Sequence, residues 1–320
     1  MFTAEYLADY INKAIDQIKY PEQPAGLFDP IKYAMGSGGK RLRPVLTLGA
    51  CAALGADISA VRNQALGVEM YHNFTLLHDD VMDRADMRRG RPTVHRKWNE
   101  STAILSGDAM LTMAGQLMSR CDATITWRVM ELFNTTAMEV YEGQQYDMDF
   151  ENRMDVTVDE YMEMIRLKTS VLLGCACKLG AIVAGANEYE CRALYDYGIK
   201  LGLAFQLEDD LLDTFGDPDV FGKNIGGDIV NDKKTWLLIS ALNSDKHDEI
   251  CRFIGSDTDA PTKIAKVKAI YEELGLRQQC TGLIETYIDN AIESLRSIEM
   301  VPGAIDFFVK IAQDSLHRTH

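Results

Sequence analysis

After Pro92 the next proline is Pro218, 126 positions further along the chain. Proline removes a backbone donor and its ring clashes with the preceding turn, so it breaks helix interiors. Its absence over so long a stretch permits long, uninterrupted helices. Apolar residues there and just before it recur at roughly helical spacing. Val68, Tyr71, Leu76 and Val81 do so, as do Leu194, Tyr197, Leu201 and Phe205, and such spacing lays apolar side chains along one helix face. Asn-Gly and Asp-Gly hairpin signals are absent, and alternating β-branched runs are scarce. Thr157-Val158-Asp159-Glu160 has the form of a capping box and predicts a helix running toward Lys168. Loops are expected at 20–26, 87–93, 215–227 and 255–261. No linker, low-complexity tract or block of like charge divides the chain. The expected fold is all-α: a single domain over residues 1–320, a bundle of long helices around a central cavity.

Composition limits the setting. Apolar residues make up 47% of the chain, enough for a sizeable core. The longest apolar stretches, around 45–56 and 172–186, are cut by Gly, Thr or Lys178. They stop short of the roughly 18 residues a membrane span needs and read as buried core helices. The opening MFTAEYLADYINKAI carries acids and lacks the basic-then-apolar order of a signal peptide, so a cytoplasmic location is expected. Seven cysteines are scattered with no CxxC pair, and Cys175 and Cys177 sit in an apolar stretch. Buried thiols are the expectation, not a metal or redox pair. A net charge of −15 repels nucleic acid and anionic membranes, so neither is an expected partner.

Two acidic segments carry the chemistry. Leu77-His78-Asp79-Asp80-Val81-Met82-Asp83 parallels Leu207-Glu208-Asp209-Asp210-Leu211-Leu212-Asp213, and each closes a long apolar-periodic segment. On a helix, positions four apart share a face. Asp79 and Asp83 therefore point together, as do Asp209 and Asp213. Carboxylate oxygens at that spacing suit magnesium, which keeps several waters and takes one or two carboxylates plus substrate phosphates. One such segment alone would read as a solvated acidic face; two, each with an apolar spacer, point to metal. Arg88-Arg89-Gly90-Arg91 follows the first segment. A guanidinium fork grips phosphate oxygens well, and the glycine allows a turn that aims the arginines. Residues 36–44, Gly-Ser-Gly-Gly-Lys-Arg-Leu-Arg-Pro, put backbone N–H groups beside three bases without the spacing of a P-loop. After the second acidic segment, Gly222-Lys223-Asn224-Ile225-Gly226-Gly227-Asp228 leads into Lys233-Lys234-Thr235. Metal ions and these bases would reverse the field locally in an acidic chain.

In this order, GGKRLRP, LHDDVMDRADMRRGRPTVH, GQQYD, KTS, FQLEDDLLD and GKNIGGD make the chain resemble the trans-prenyl diphosphate synthases over about residues 38–235. That resemblance implies the isoprenoid synthase fold and a homodimer. It implies head-to-tail condensation of an allylic diphosphate with isopentenyl diphosphate, with Mg2+ as cofactor at three ions per site when substrate is bound. Asp79, Asp83 and Asp209 would bind magnesium, with Asp80, Asp210, Asp213 and Asp147 in support. Arg88, Lys168 and Lys223 would hold the allylic diphosphate, with Lys233 nearby. Lys40, Arg43, His72 and Arg89 would bind isopentenyl diphosphate. Thr169 and Gln206 would face the developing carbocation, and the departing diphosphate would take the proton.

In that family, bulk before the first acidic motif floors the tunnel for the growing chain. Here Tyr71 and Phe74 are bulky and Thr75 is small. A rise of about 1.5 Å per residue puts Phe74 roughly 7–8 Å below Asp79. With two residues between the Asp pairs, the pattern resembles geranylgeranyl diphosphate synthases, with a farnesyl product next. Rival readings are a terpene cyclase of the same helical class and a non-catalytic partner subunit. The intact second Asp motif and the GGKRLRP loop weigh against both.

Overall fold

The structure is a computed structural model that describes residues 2–217 and 225–316. As expected, it is built from helices: α1 (Ala4–Asp16), α2 (Ala25–Met35), α3 (Leu42–Ala53), α4 (Arg62–Met82), α5 (Val94–Lys97), α6 (Glu100–Met118), α7 (Thr126–Phe150), α8 (Val158–Ile165), α9 (Val171–Val183), α10 (Glu188–Phe215), α11 (Gly227–Val230), α12 (Trp236–Leu242), α13 (His247–Ile250), α14 (Ala260–Glu273), α15 (Leu276–Leu295) and α16 (Ala304–Leu316). Between α4 and α5, β1 (Met87–Arg88) and β2 (Arg91–Pro92) pair antiparallel. The expected loop at 87–93 is thus a small hairpin. A π-helical turn, Arg166–Ser170, joins α8 to α9.

The chain packs as two compact units. The first holds residues 1–135, 175–195 and 298–307; the second holds 136–174, 196–297 and 308–320. In the first, α4 lies against α6 and α3. Gly67 makes the α6 contact close, since a Cβ there would stand 2.9 Å from Met118. Along α4, Gln64, Glu69, Asn73 and Asp80 are buried among apolar neighbours. A buried polar group costs free energy unless it is hydrogen-bonded. Gln64 accordingly donates to the Met118 carbonyl at 3.1 Å, and Asn73 donates to the Glu69 carbonyl at 2.8 Å. The other two partners belong to the candidate site.

In the second unit the capping box forms as expected. Thr157 Oγ1 accepts from Glu160 N at 3.2 Å, and Glu160 Oε2 accepts from Thr157 N at 2.9 Å. The helix it starts runs to Ile165 and then widens into the π turn before reaching Lys168. Here α12 packs on α8, α14 and α15. Tyr197 anchors the α10 segment in this unit by donating to the Phe308 carbonyl at 2.8 Å. Among the described residues no helix is long and apolar enough to cross a membrane. Cys175 and Cys177 are buried and form no disulfide, as their apolar setting suggested.

Candidate active site

In the first unit the site begins where α4 ends. Asp79 is half-buried and Asp83, the C-cap, is exposed. Asp80 faces inward at 4% exposure, where its Oδ1 accepts from Arg88 Nε at 2.7 Å. Burial raises the Asp80 carboxyl above its usual range, and the Arg88 guanidinium opposes that rise. Arg89 sits at φ 52°, so the hairpin sends its two neighbouring arginines different ways. Arg88 reaches Asp80, while Arg89 donates to the Gly38 carbonyl. Gly39 makes this approach possible: its φ is 120°, and a Cβ there would lie 2.7 Å from Arg89 Cζ.

The glycine-basic loop is anchored by Arg41, which takes φ 51° at the start of α3. Its buried guanidinium donates to Glu69 Oε1 at 2.5 Å, to Asn12 Oδ1 at 3.0 Å and to the Met35 carbonyl at 2.8 Å. Lys40 before it remains exposed. Arg43 after it points to α4, where its Nη1 donates to His72 Nε2 at 3.2 Å. The buried Arg43 Nε has no hydrogen-bond partner. Burial, aided by Arg89 and resisted by Glu69, lowers the Arg43 pKa to about 10. His72 is pushed well below its ordinary value by burial and by the guanidiniums of Arg43, Arg89, Arg88 and Arg41. A neutral imidazole, an orphaned buried donor and several guanidiniums form a surrounding that an anion with many oxygens satisfies.

Toward the core from Asp79, Phe74 is 4% exposed, with ring centroids 5.5 Å from Tyr71 and 4.7 Å from His78. Tyr71 meets Phe133 edge-on at 5.4 Å. Thr75 Oγ1 turns back to the His72 carbonyl at 2.8 Å. The bulky residues singled out in the sequence thus form one aromatic cluster.

In the second unit, Lys168 Nζ pairs with Asp147 Oδ2 at 2.5 Å. Thr169 Oγ1 donates to Gln206 Oε1 at 3.1 Å, and Gln206 Nε2 donates to Asp210 Oδ1 at 3.3 Å. Tyr161 closes the chain by donating to Asp210 Oδ2. Asp210 is 2% exposed. Burial raises its pKa to about 7; Asp228 and Asp209 add to the rise, and Lys233 and Tyr161 oppose it. Asp209 is half-buried, and Asp213 Oδ1 accepts from Asp228 N at 2.9 Å. Lys233 Nζ stands 3.5 Å from Asp228 Oδ1. Burial works against the Lys233 charge, but Asp210, Asp228, Asp147 and Asp209 outweigh it and raise its pKa.

Each unit therefore gathers its own share of the expected residues. Asp79, Asp80, Asp83, Arg88, Arg89, Lys40, Arg43 and His72 belong to the first; Asp147, Lys168, Thr169, Gln206, Asp209, Asp210, Asp213 and Lys233 belong to the second. Lys223 lies outside the described residues, as do its motif neighbours Gly222 and Asn224. Sequence reasoning missed Glu69, Asn73 and Tyr161 as supports, and it gave Arg41 and Asp228 no role. Glu69 had a signal, being a lone acid inside the apolar run 65–71; Tyr161 had none.

Among the described residues no three His, Cys, Asp or Glu side chains form a metal cage. The donor set is instead pairs of carboxylates four apart on a helix. That set fits magnesium, whose shell is completed by water and substrate phosphate.

Known proteins resemble this chain over most of its length. The polyprenyl synthetase family profile matches residues 24–274. A geranylgeranyl diphosphate synthase of Methanosarcina mazei is 37% identical over 92% of this chain and 91% of its own length. A crystal structure of a geranylgeranyl pyrophosphate synthase superposes with a TM-score of 0.96 at 43% identity, covering 100% of both chains. A polyprenyl synthase of Caulobacter crescentus, complexed with calcium and isoprenyl diphosphate, superposes with a TM-score of 0.87 at 29% identity, over 99% of this chain and 96% of that one.

Proposed function

The chain belongs to the polyprenyl synthetase family and is a prenyltransferase, and from that premise we propose that it condenses isopentenyl diphosphate head-to-tail with an allylic diphosphate to give geranylgeranyl diphosphate. A farnesyl product is the next alternative. The observation that carries this reading is the repeated carboxylate pair at a helix end, Asp79 with Asp83 and Asp209 with Asp213, each in a unit that also supplies cations for phosphate.

Arg43, Lys40 and Arg89, beside a neutral His72, bind isopentenyl diphosphate; the orphaned Arg43 Nε supports this. Arg88 in the first unit and Lys168 in the second, with Lys223, would hold the allylic diphosphate, and Lys233 would lie nearby. Asp80 fixes the angle of Arg88, and Asp147 fixes that of Lys168. Such oriented charges stabilise a leaving group without reorganising during the reaction. Asp79 and Asp83 in the first unit, with Asp80 in support, and Asp209 in the second, with Asp210, Asp213 and Asp147 in support, would hold magnesium. Three magnesium ions, when bound, supply Lewis-acid charge to the departing diphosphate. Thr169 and Gln206 turn their polar atoms toward the allylic cation, which the double bond of isopentenyl diphosphate attacks; the proton leaves to the diphosphate. Phe74, with Tyr71, floors the space for the product chain. The whole chain, residues 1–320, acts as one synthase domain and assembles as a homodimer, as the family resemblance implies.

The test incubates the protein with isopentenyl diphosphate, magnesium and separate allylic primers, with products read by mass spectrometry. A linear twenty-carbon diphosphate supports the reading. A cyclised hydrocarbon, or no turnover with any primer, overturns it in favour of a terpene cyclase or a non-catalytic subunit.

A further inference from the structure

The π-helical turn Arg166–Ser170 carries both Lys168 and Thr169. Such turns are rare, have one more residue in the hydrogen-bonded ring than an α-helix, and occur often at functional sites. What holds this one is visible on both of its sides. On α7, positions 139, 143 and 147 share a face at four-residue spacing. Glu139 pairs with Arg166 at 3.6 Å and Asp147 pairs with Lys168 Nζ at 2.5 Å. Between them Gly143 lies directly on the backbone of the turn. A Cβ at Gly143 would overlap Lys168 N and stand 2.7 Å from both Leu167 C and Lys168 Cα. On α10, positions 198, 202 and 206 repeat the arrangement. A Cβ at Gly202 would stand 2.5 Å from Ser170 Cα, one turn from the Gln206 that accepts from Thr169.

Neither glycine has a positive φ, so backbone conformation does not require glycine at either place. Glycine is a weaker helix former than alanine in a helix interior, so each glycine weakens its own helix. What each allows is close backbone approach: the atoms a Cβ at Gly143 would overlap are all main-chain, and the nearest at Gly202 is the Ser170 Cα, so no rotamer change relieves either overlap.

We propose that Gly143 is a positioning residue for prenyl transfer, with Gly202 as its counterpart on the opposite side of the turn. By letting α7 and α10 touch the π turn, the two glycines set the Lys168 ammonium against Asp147 and the Thr169 hydroxyl against Gln206. This inference rests on the roles assigned above to Lys168 and Thr169. Adding a methyl group pushes the turn away from α7, and a shift of about 1 Å at a reacting centre can cost a hundredfold in rate.

The test compares wild type, Gly143→Ala, Gly202→Ala, Lys168→Ala and the Gly143→Ala/Lys168→Ala double variant. Gly282→Ala serves as the control, because a Cβ there meets nothing within 4 Å. Gly143→Ala and Gly202→Ala should each lower kcat by about tenfold or more, with KM for isopentenyl diphosphate within roughly twofold of wild type. The double variant should be no slower than Lys168→Ala alone, since Gly143 acts through Lys168. Gly282→Ala should match wild type. A wild-type kcat in Gly143→Ala, additive losses in the double variant, or loss of helical circular dichroism in both glycine variants overturns the inference in favour of plain packing. A wild-type protein that does not condense its substrates overturns the functional reading instead.

Discussion

Burial divides the carboxylates of each acidic segment into two kinds. Asp79 and Asp209 are half-buried, whereas Asp80 and Asp210, one position along, are almost fully buried and hydrogen-bonded. Successive helical residues differ by about 100° in direction, so neighbours in sequence serve opposite faces. Asp79→Ala and Asp209→Ala should each lower condensation by about a hundredfold or more, because charge stabilisation of the leaving diphosphate is lost. Steady-state rates at saturating magnesium check this; retention of activity by both variants would sink the metal assignment. Phe74→Ala removes the aromatic wall below Asp79 and should lengthen the product, read as chain mass; an unchanged length rejects Phe74 as the floor. His72 gives a pH signature. Its folded pKa lies well below the usual value, while the unfolded chain titrates near about 6.5. Above that pH both states are neutral. As pH falls through it, only the unfolded state takes the proton, so stability drops by at most about 1.4 kcal/mol per pH unit. The His72→Gln variant should therefore lose Tm less steeply than wild type between about pH 7 and 5; parallel Tm curves would contradict the depressed value.

Elements were legible where the signal is local. The capping box at Thr157 is a four-residue pattern, and it forms with both reciprocal bonds. Thr157→Ala should cost about 1 kcal/mol, measured by denaturant unfolding. The π turn that follows has no comparable local signature. It depends on Gly143 and Gly202, which are 23 or more positions from its nearest end in the chain. The sequence predicts only a loop at 87–93, because two-residue strands are too short for a period-2 pattern to register. The glycine-basic loop is likewise ordered by a distant residue. Its order comes from Arg41 reaching Glu69 on α4, a partner 28 residues away.

At the scale of the whole molecule, this strongly acidic chain sets Arg88 and Lys168 against carboxylates and leaves Arg43 with a buried donor to spare. On the proposed reading, magnesium serves the departing diphosphate and not the folding of the chain. Chelation with EDTA should abolish turnover and magnesium should restore it, while helical circular dichroism stays unchanged; loss of helix on chelation would make the metal structural. What the amino-acid order determined alone was the helical class, the two carboxylate pairs, the bases beside them and the family. These are short-range patterns, carried by periods of three to four residues and by motifs read in order. Only the tertiary structure decided which Asp turns inward, that Arg43 faces a neutral His72, that Tyr161 holds Asp210, and that two glycines seat the turn bearing Lys168. Those facts depend on atoms brought together from distant parts of the chain, and close packing, not local propensity, selects such partners.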